Sequence, residues 1–86
     1  MAKYARIEMS KKRFDRKEKS VAVNVDRWNG SEVVYVPKSK IIVESVGMVE
    51  GYEMPRVTFL APTWIFTRKC LYATNADGFQ EIVEIE

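Results

Sequence analysis

Ten side chains define the binding chemistry this sequence can offer. Lys11, Lys12, Arg13, Phe14, Arg16, Lys17 and Lys19 form one run, Trp28 stands beside a turn, and Lys38 and Lys40 flank Ser39. Phosphate binding needs several cations that converge on one backbone, because each contact releases condensed counterions. The run from Lys11 to Lys19 supplies them, and Phe14 in its midst has the flat face that stacks on a base. A charge run of this kind also serves as a solvated surface, or docks on an acidic protein. Lys38-Ser39-Lys40 behind Pro37 reads as a corner between strands, and such a turn can aim N–H groups and two ammonium groups at an anion. A nucleotide cradle of the P-loop type needs a glycine-rich loop before a helix, and the sequence has none.

Catalytic constellations fare worse. The chain has 86 residues and no histidine, so imidazole catalysis and imidazole metal ligation are excluded. Its one cysteine, Cys70, forms no internal disulfide or thiolate cluster. Arg68 and Lys69 beside it favour a thiolate, but without a histidine base the residue reads as core. The carboxylates show no spacing that suits a metal or an acid/base pair. The expectation is therefore a protein that is not an enzyme and that holds no cofactor and no metal.

Charge is unevenly placed. Residues 1–20 carry eight basic and three acidic side chains, whereas the other 66 residues carry six and nine, for a net charge of +2. From Asp77 onward there are four acids and no base. This acidic end either meets a basic partner or neutralises the chain's own N-terminal segment, and the second needs no outside molecule. A hydrophobic content of 47% with 30% charged residues fits one globular domain over 1–86, with 1–19 as a charged arm or as a first strand plus loop. The longest near-apolar stretch, Val57 to Phe66, is too short to span a bilayer. With no apolar leader and a lone cysteine, a reducing cytoplasm is expected.

Positioning these residues falls to short strands. Ala5, Ile7 and Met9 alternate with Tyr4, Arg6 and Glu8. Val21, Val23 and Val25 share one face of a second strand. Asn29-Gly30 then suits a type I′ turn, which makes 20–36 a hairpin. Ile41–Val46, Arg56–Leu60 and Phe79–Ile85 are further strands, the last with Phe79, Val83 and Ile85 inward despite Glu81. The segment 61–72 favours a short helix entered at Pro62, with Ala61, Trp64 and Ile65 on one face. Trp64, Phe59 and Tyr35 are expected in the core, and Trp28 outside it. The fold class is α+β, mainly β: a small curled antiparallel sheet or partly open barrel of four to six strands with one short helix. An uncovered edge of such a sheet invites a homodimer.

Val36-Pro37-Lys38-Ser39-Lys40-Ile41, Ala61-Pro62-Thr63-Trp64-Ile65 and Arg68-Lys69-Cys70-Leu71 together resemble a group of short bacteriophage-encoded proteins. In that group a valine-rich hairpin runs into a Pro-Lys-Ser corner, and a Pro-x-Trp segment closes the motif as a helix. The resemblance spans roughly residues 20–71. This chain departs from it in its charged N-terminal segment, in Cys70 where glycine is usual, and in its acidic C-terminus. The resemblance implies a phage or prophage protein working in a bacterial host's cytoplasm, and transfers no activity. The expected function is non-catalytic binding of nucleic acid, or of nucleic-acid-handling machinery, through the basic segment. The alternative is an anti-CRISPR-like inhibitor of a host defence complex that acts by protein–protein contact, through the same segment or through exposed aromatics near Trp28 or Tyr52.

Overall fold

Alternation along β1 (Ala2–Ser10) is what organises the molecule: Ala5, Ile7 and Met9 are buried while Tyr4, Arg6 and Glu8 lie on the opposite face. A computed structural model describes residues 2–27, 29–67 and 73–85. In it β1 pairs antiparallel on both sides, with β5 (Arg56–Pro62) and with β6 (Phe79–Ile85). β4 (Ile42–Gly47) pairs with the far side of β5, so the sheet order is β4-β5-β1-β6. β2 (Ser20–Arg27) and β3 (Gly30–Pro37) form a separate two-stranded ribbon.

The ribbon lies on one face of the sheet. Val21, Val23, Val25, Val34 and Val36 share one core cluster with Ala5, Ile7, Met9, Val57, Phe59, Ile65 and Phe66. No polar or charged side chain is buried among the described residues. Each fully buried Val, Ile or Phe contributes about 1.5–3 kcal/mol, so this apolar contact carries the fold. The radius of gyration, 12.5 Å, is what a compact chain of this length should have.

The expected mainly-β class with antiparallel pairing is what the chain adopts. The sheet does not curl into a barrel, however. Four strands are too few to close around a filled interior, and the ribbon covers the apolar face instead. Among the described residues two α-helices form, each of four residues: α1 (Lys11–Phe14) and α2 (Trp64–Thr67). α1 was not expected; Ser10 caps it by accepting a hydrogen bond from the Arg13 N–H at 3.2 Å. Pro62 ends β5 rather than opening a helix, so the helical phase starts two residues late. Ile65 and Phe66 therefore turn inward, and Trp64 remains 47% exposed. The rest of the expected 61–72 helix lies outside the described residues, as do Trp28 and Cys70.

Tyr35 also departs from expectation. Val34 and Val36 sit opposite Val23 and Val21 and face the core. The side chain between them must then point outward, and Tyr35 is 54% exposed. The ribbon ladder closes with Arg27 opposite Gly30, where Asn29-Gly30 at the turn centre would put Trp28 opposite Ser31. The two registers differ by two positions, so the inward face is the same in both.

In β6 the pairing jumps from Arg6 opposite Glu81 to Ile7 opposite Phe79. The extra residue is a β-bulge that reverses which side chains face the core. Phe79 packs against the core cluster, while Val83 and Ile85 pair with Tyr4 and Ala2 on the other face. This resolves the clash that Glu81 posed for a regular strand, and corrects the expectation that all three apolar residues face inward.

Gly78 precedes β6 with φ of 75°, and its N-terminal neighbourhood is fixed by a 3.0 Å hydrogen bond from the Glu8 N–H to the Gly78 carbonyl. A Cβ here would collide with the Glu8 carbonyl oxygen. Gly51 also has positive φ, at 91°, but faces open space. Gly78→Ala should cost about 2 kcal/mol or more and Gly51→Ala distinctly less. Urea denaturation of the two variants checks the ranking.

Candidate nucleic-acid interface

Charged side chains divide into two sets with different fates. On the sheet face away from the ribbon they neutralise one another. Arg6 donates to both carboxylate oxygens of Glu44, at 2.6 and 3.0 Å, and also pairs with Glu81. Arg56 donates to Glu8 at 3.0 Å, and Gln80 donates to the other Glu8 oxygen at 2.9 Å. On the opposite face, near the start of β1, Lys3 lies 3.9 Å from Glu84. The acidic C-terminal strand thus does neutralise part of the chain's own N-terminal segment, at β1. Hydrogen bonding from Arg6 holds the Glu44 carboxyl below its ordinary value of 4.5, and Glu44 in turn raises the Arg6 guanidinium.

The segment after β1 is folded down, not frayed. Its start is fixed by the Lys11 N–H, which donates to the Pro55 carbonyl at 2.9 Å. Phe14 is half-buried against the core, its ring centroid 5.4 Å from that of Phe59. The Arg13 guanidinium donates to Asp77 at 2.5 Å and to the Ala22 carbonyl at 3.1 Å. Lys11 pairs with Asp15 one turn on. Three of the ten expected site residues are therefore structural: Phe14 anchors, Arg13 straps, and Lys11 serves its own helix. The Phe14 ring, expected to stack on a base, packs against Phe59 and has the Lys38 ammonium 4.6 Å from its centroid.

The remaining cations lie on two stretches of chain that meet at one backbone contact. The Lys38 N–H donates to the Lys19 carbonyl at 2.9 Å, which joins the two basic clusters that are separate in sequence. Lys38–Lys40 is a single 3-10 turn. The Lys17 ammonium stands 5.4 Å from the Tyr35 ring centroid. Lys12, Arg16, Lys17, Lys19 and Lys40 are exposed. None of these five, nor Lys38, makes an ion pair among the described residues. The result is one surface, continuous through the 19–38 contact, that is cationic and carries an exposed aromatic ring. Tyr35 is the member that sequence reasoning misplaced. The signal for it was the strict alternation of Val34 and Val36, which leaves residue 35 no inward position.

Next to this surface, a depression of about 630 Å³ lies between the 38–40 turn and the ends of β1 and β5, lined by Lys3, Tyr4, Lys40, Ile42 and Trp64 among others. The opposite end of the ribbon is acidic: a second, polar depression of about 430 Å³ is lined by Asn24, Asp26, Ser31 and Asp77. Among the described residues no three His, Cys, Asp or Glu side chains group as metal ligands, and no helix is long and apolar enough to cross a membrane. Comparisons with protein families, with curated proteins and with solved structures find no match to this chain.

Arg13→Ala should destabilise the fold by about 1–2 kcal/mol, because it removes charge-assisted hydrogen bonds that strap the segment down. Alanine at Arg16, Lys17 or Lys19 should stay within about 0.5 kcal/mol of the parent. Thermal denaturation separates the two groups. A pH series tests the sheet face. A lowered carboxyl pKa adds stability that is present above the ordinary value and lost as pH falls through the folded one. Glu44→Gln should therefore flatten the acid limb of the stability curve below about pH 4.5.

Proposed function

We propose that this protein is a non-catalytic nucleic-acid-binding module, whose binding surface is the cationic patch formed by Lys12, Arg16, Lys17, Lys19, Lys38 and Lys40 around Tyr35. The observation that carries the reading is the Lys38–Lys19 backbone hydrogen bond. It merges two basic clusters into one surface, whereas Lys3, Arg6, Lys11, Arg13, Arg27 and Arg56 are each taken by a carboxylate. Cations without internal partners contribute fully to counterion release when phosphates approach. Tyr35, rigid on β3 and 54% exposed, offers the flat ring on which an unstacked base can lie. Lys17 already stands over that ring, so a phosphate bound by Lys17 would bring its own base within reach of Tyr35. Stacking of this kind favours a single strand, because the bases of a duplex are already stacked on one another.

Fluorescence anisotropy with labelled single- and double-stranded oligonucleotides tests the proposal. Binding should weaken steeply with salt, by a log–log slope of roughly −0.7 per phosphate contacted on a single strand. Replacing Arg16, Lys17 and Lys19 together with glutamate should abolish binding. Tyr35→Ala should weaken single-strand binding by about tenfold, which is the lower range for loss of one stacked base. Anisotropy that stays flat at low ionic strength would sink the reading.

A further inference from the structure

Among the strands, β4 stands out for what it leaves uncovered. Its partner strand β5 buries Val57 and Phe59 at 1% and 0% exposure. Val46 and Val43 sit directly opposite them on the same face, yet are 54% and 48% exposed. The ribbon's cover ends between β5 and β4, so the apolar face of the sheet runs out into solvent at its edge. Ile42 lies on the other face at 44%, and beyond the strand Met48, Val49, Tyr52 and Met54 are 43–63% exposed. β4 is also an outer strand of the sheet, with one row of backbone groups facing away from β5.

Edge strands of monomeric proteins are usually guarded by charge. β6, at the other edge, has Glu81 and Glu84. Between Lys40 and Glu50, β4 and its flanks hold a single charged residue, Glu44. Glu44 occupies the bulge between Val43 and Ser45, and its carboxylate is taken by Arg6. What remains is an apolar strand with lysines at its start, Lys38 and Lys40, and acids after its end, Glu50 and Glu53.

We propose that β4 is a self-association edge and that its occupant is β4 of a second copy of this chain, paired antiparallel about a two-fold axis. Charge polarity selects both partner and direction. Antiparallel pairing sets the Lys38–Lys40 end of each copy beside the Glu50–Glu53 end of the other, whereas parallel pairing would set like charges together. A two-fold interface of this kind is self-complementary. It joins the two sheets into one of eight strands, with both ribbons on the same side, and continues the apolar face across Val43 and Val46 of both copies. The inference is independent of nucleic-acid binding.

Sedimentation velocity of the full chain over a dilution series tests it. The parent should sediment at twice its 10.0 kDa chain mass and dissociate on dilution. Val43→Lys combined with Val46→Lys should give a monomer with an unchanged circular dichroism spectrum, since both positions are half exposed. Lys40→Glu should weaken the dimer, and adding Glu50→Lys should restore it. A parent that is monomeric throughout overturns the proposal. So does a dimer that survives both lysine substitutions, or one whose affinity ignores the charge exchange at 40 and 50.

Discussion

The packing of Phe14 against Phe59 is the contact on which the proposed binding surface depends. Phe59 is fully buried at the centre of the core, and Phe14 reaches it from a segment otherwise made of charged residues. Such a segment has no burial of its own to offset the entropy of ordering. One aromatic ring changes that balance, since an aromatic pair adds about 0.5–1.5 kcal/mol beyond its buried area. With Phe14 in place, the Lys11 and Arg13 hydrogen bonds close locally, and the chain returns to β2 close enough for Lys19 to accept from Lys38. Lys38 then lies with its ammonium 4.6 Å from the centroid of the same ring. The anchor and the cationic surface are thus one construction.

Charge pairing elsewhere sets what that surface is. Exposed ion pairs add little stability, typically less than about 1 kcal/mol each, so the network around Arg6 and Glu8 is not what holds the fold. Its consequence is electrostatic. With Glu44, Glu81 and Glu84 committed to Arg6 and Lys3, the acidic strand has little field left to oppose the patch; within the cationic run stand Asp15, which Lys11 takes, and Glu18. A chain with a net charge of +2 therefore presents one strongly positive side.

Much of the fold can be read from period-two alternation. Ile7, Val23 and Phe59 each sit in a run whose apolar face admits one orientation, and the structure adopts it. Where the sequence misleads, a local irregularity is the reason. The bulge at Gln80 reverses the phase of β6, and no residue type announces it. Trp64 looks like core by size, but the extension of β5 through Pro62 shifts the helical phase so that Ile65 and Phe66 take the inward places. Tyr35 looks like core by size in the same way, although its alternation with Val34 and Val36 assigns it outward. Of the site, the cations are legible as a list and their union is not. The contact between Lys19 and Lys38 spans the whole hairpin, and only the ribbon's register brings its two ends together.

On the proposed reading, residues 12–19 and 38–40 act as a single preformed surface for nucleic acid. Backbone amide chemical shifts, followed by NMR while a short single-stranded oligonucleotide is titrated in, test this most directly. Lys12 to Lys19, Tyr35 and Lys38 to Lys40 should shift together with one common midpoint, while the amides of β6 stay where they are. Shifts confined to one of the two clusters, or centred on β6 or the hairpin's acidic end, would contradict it.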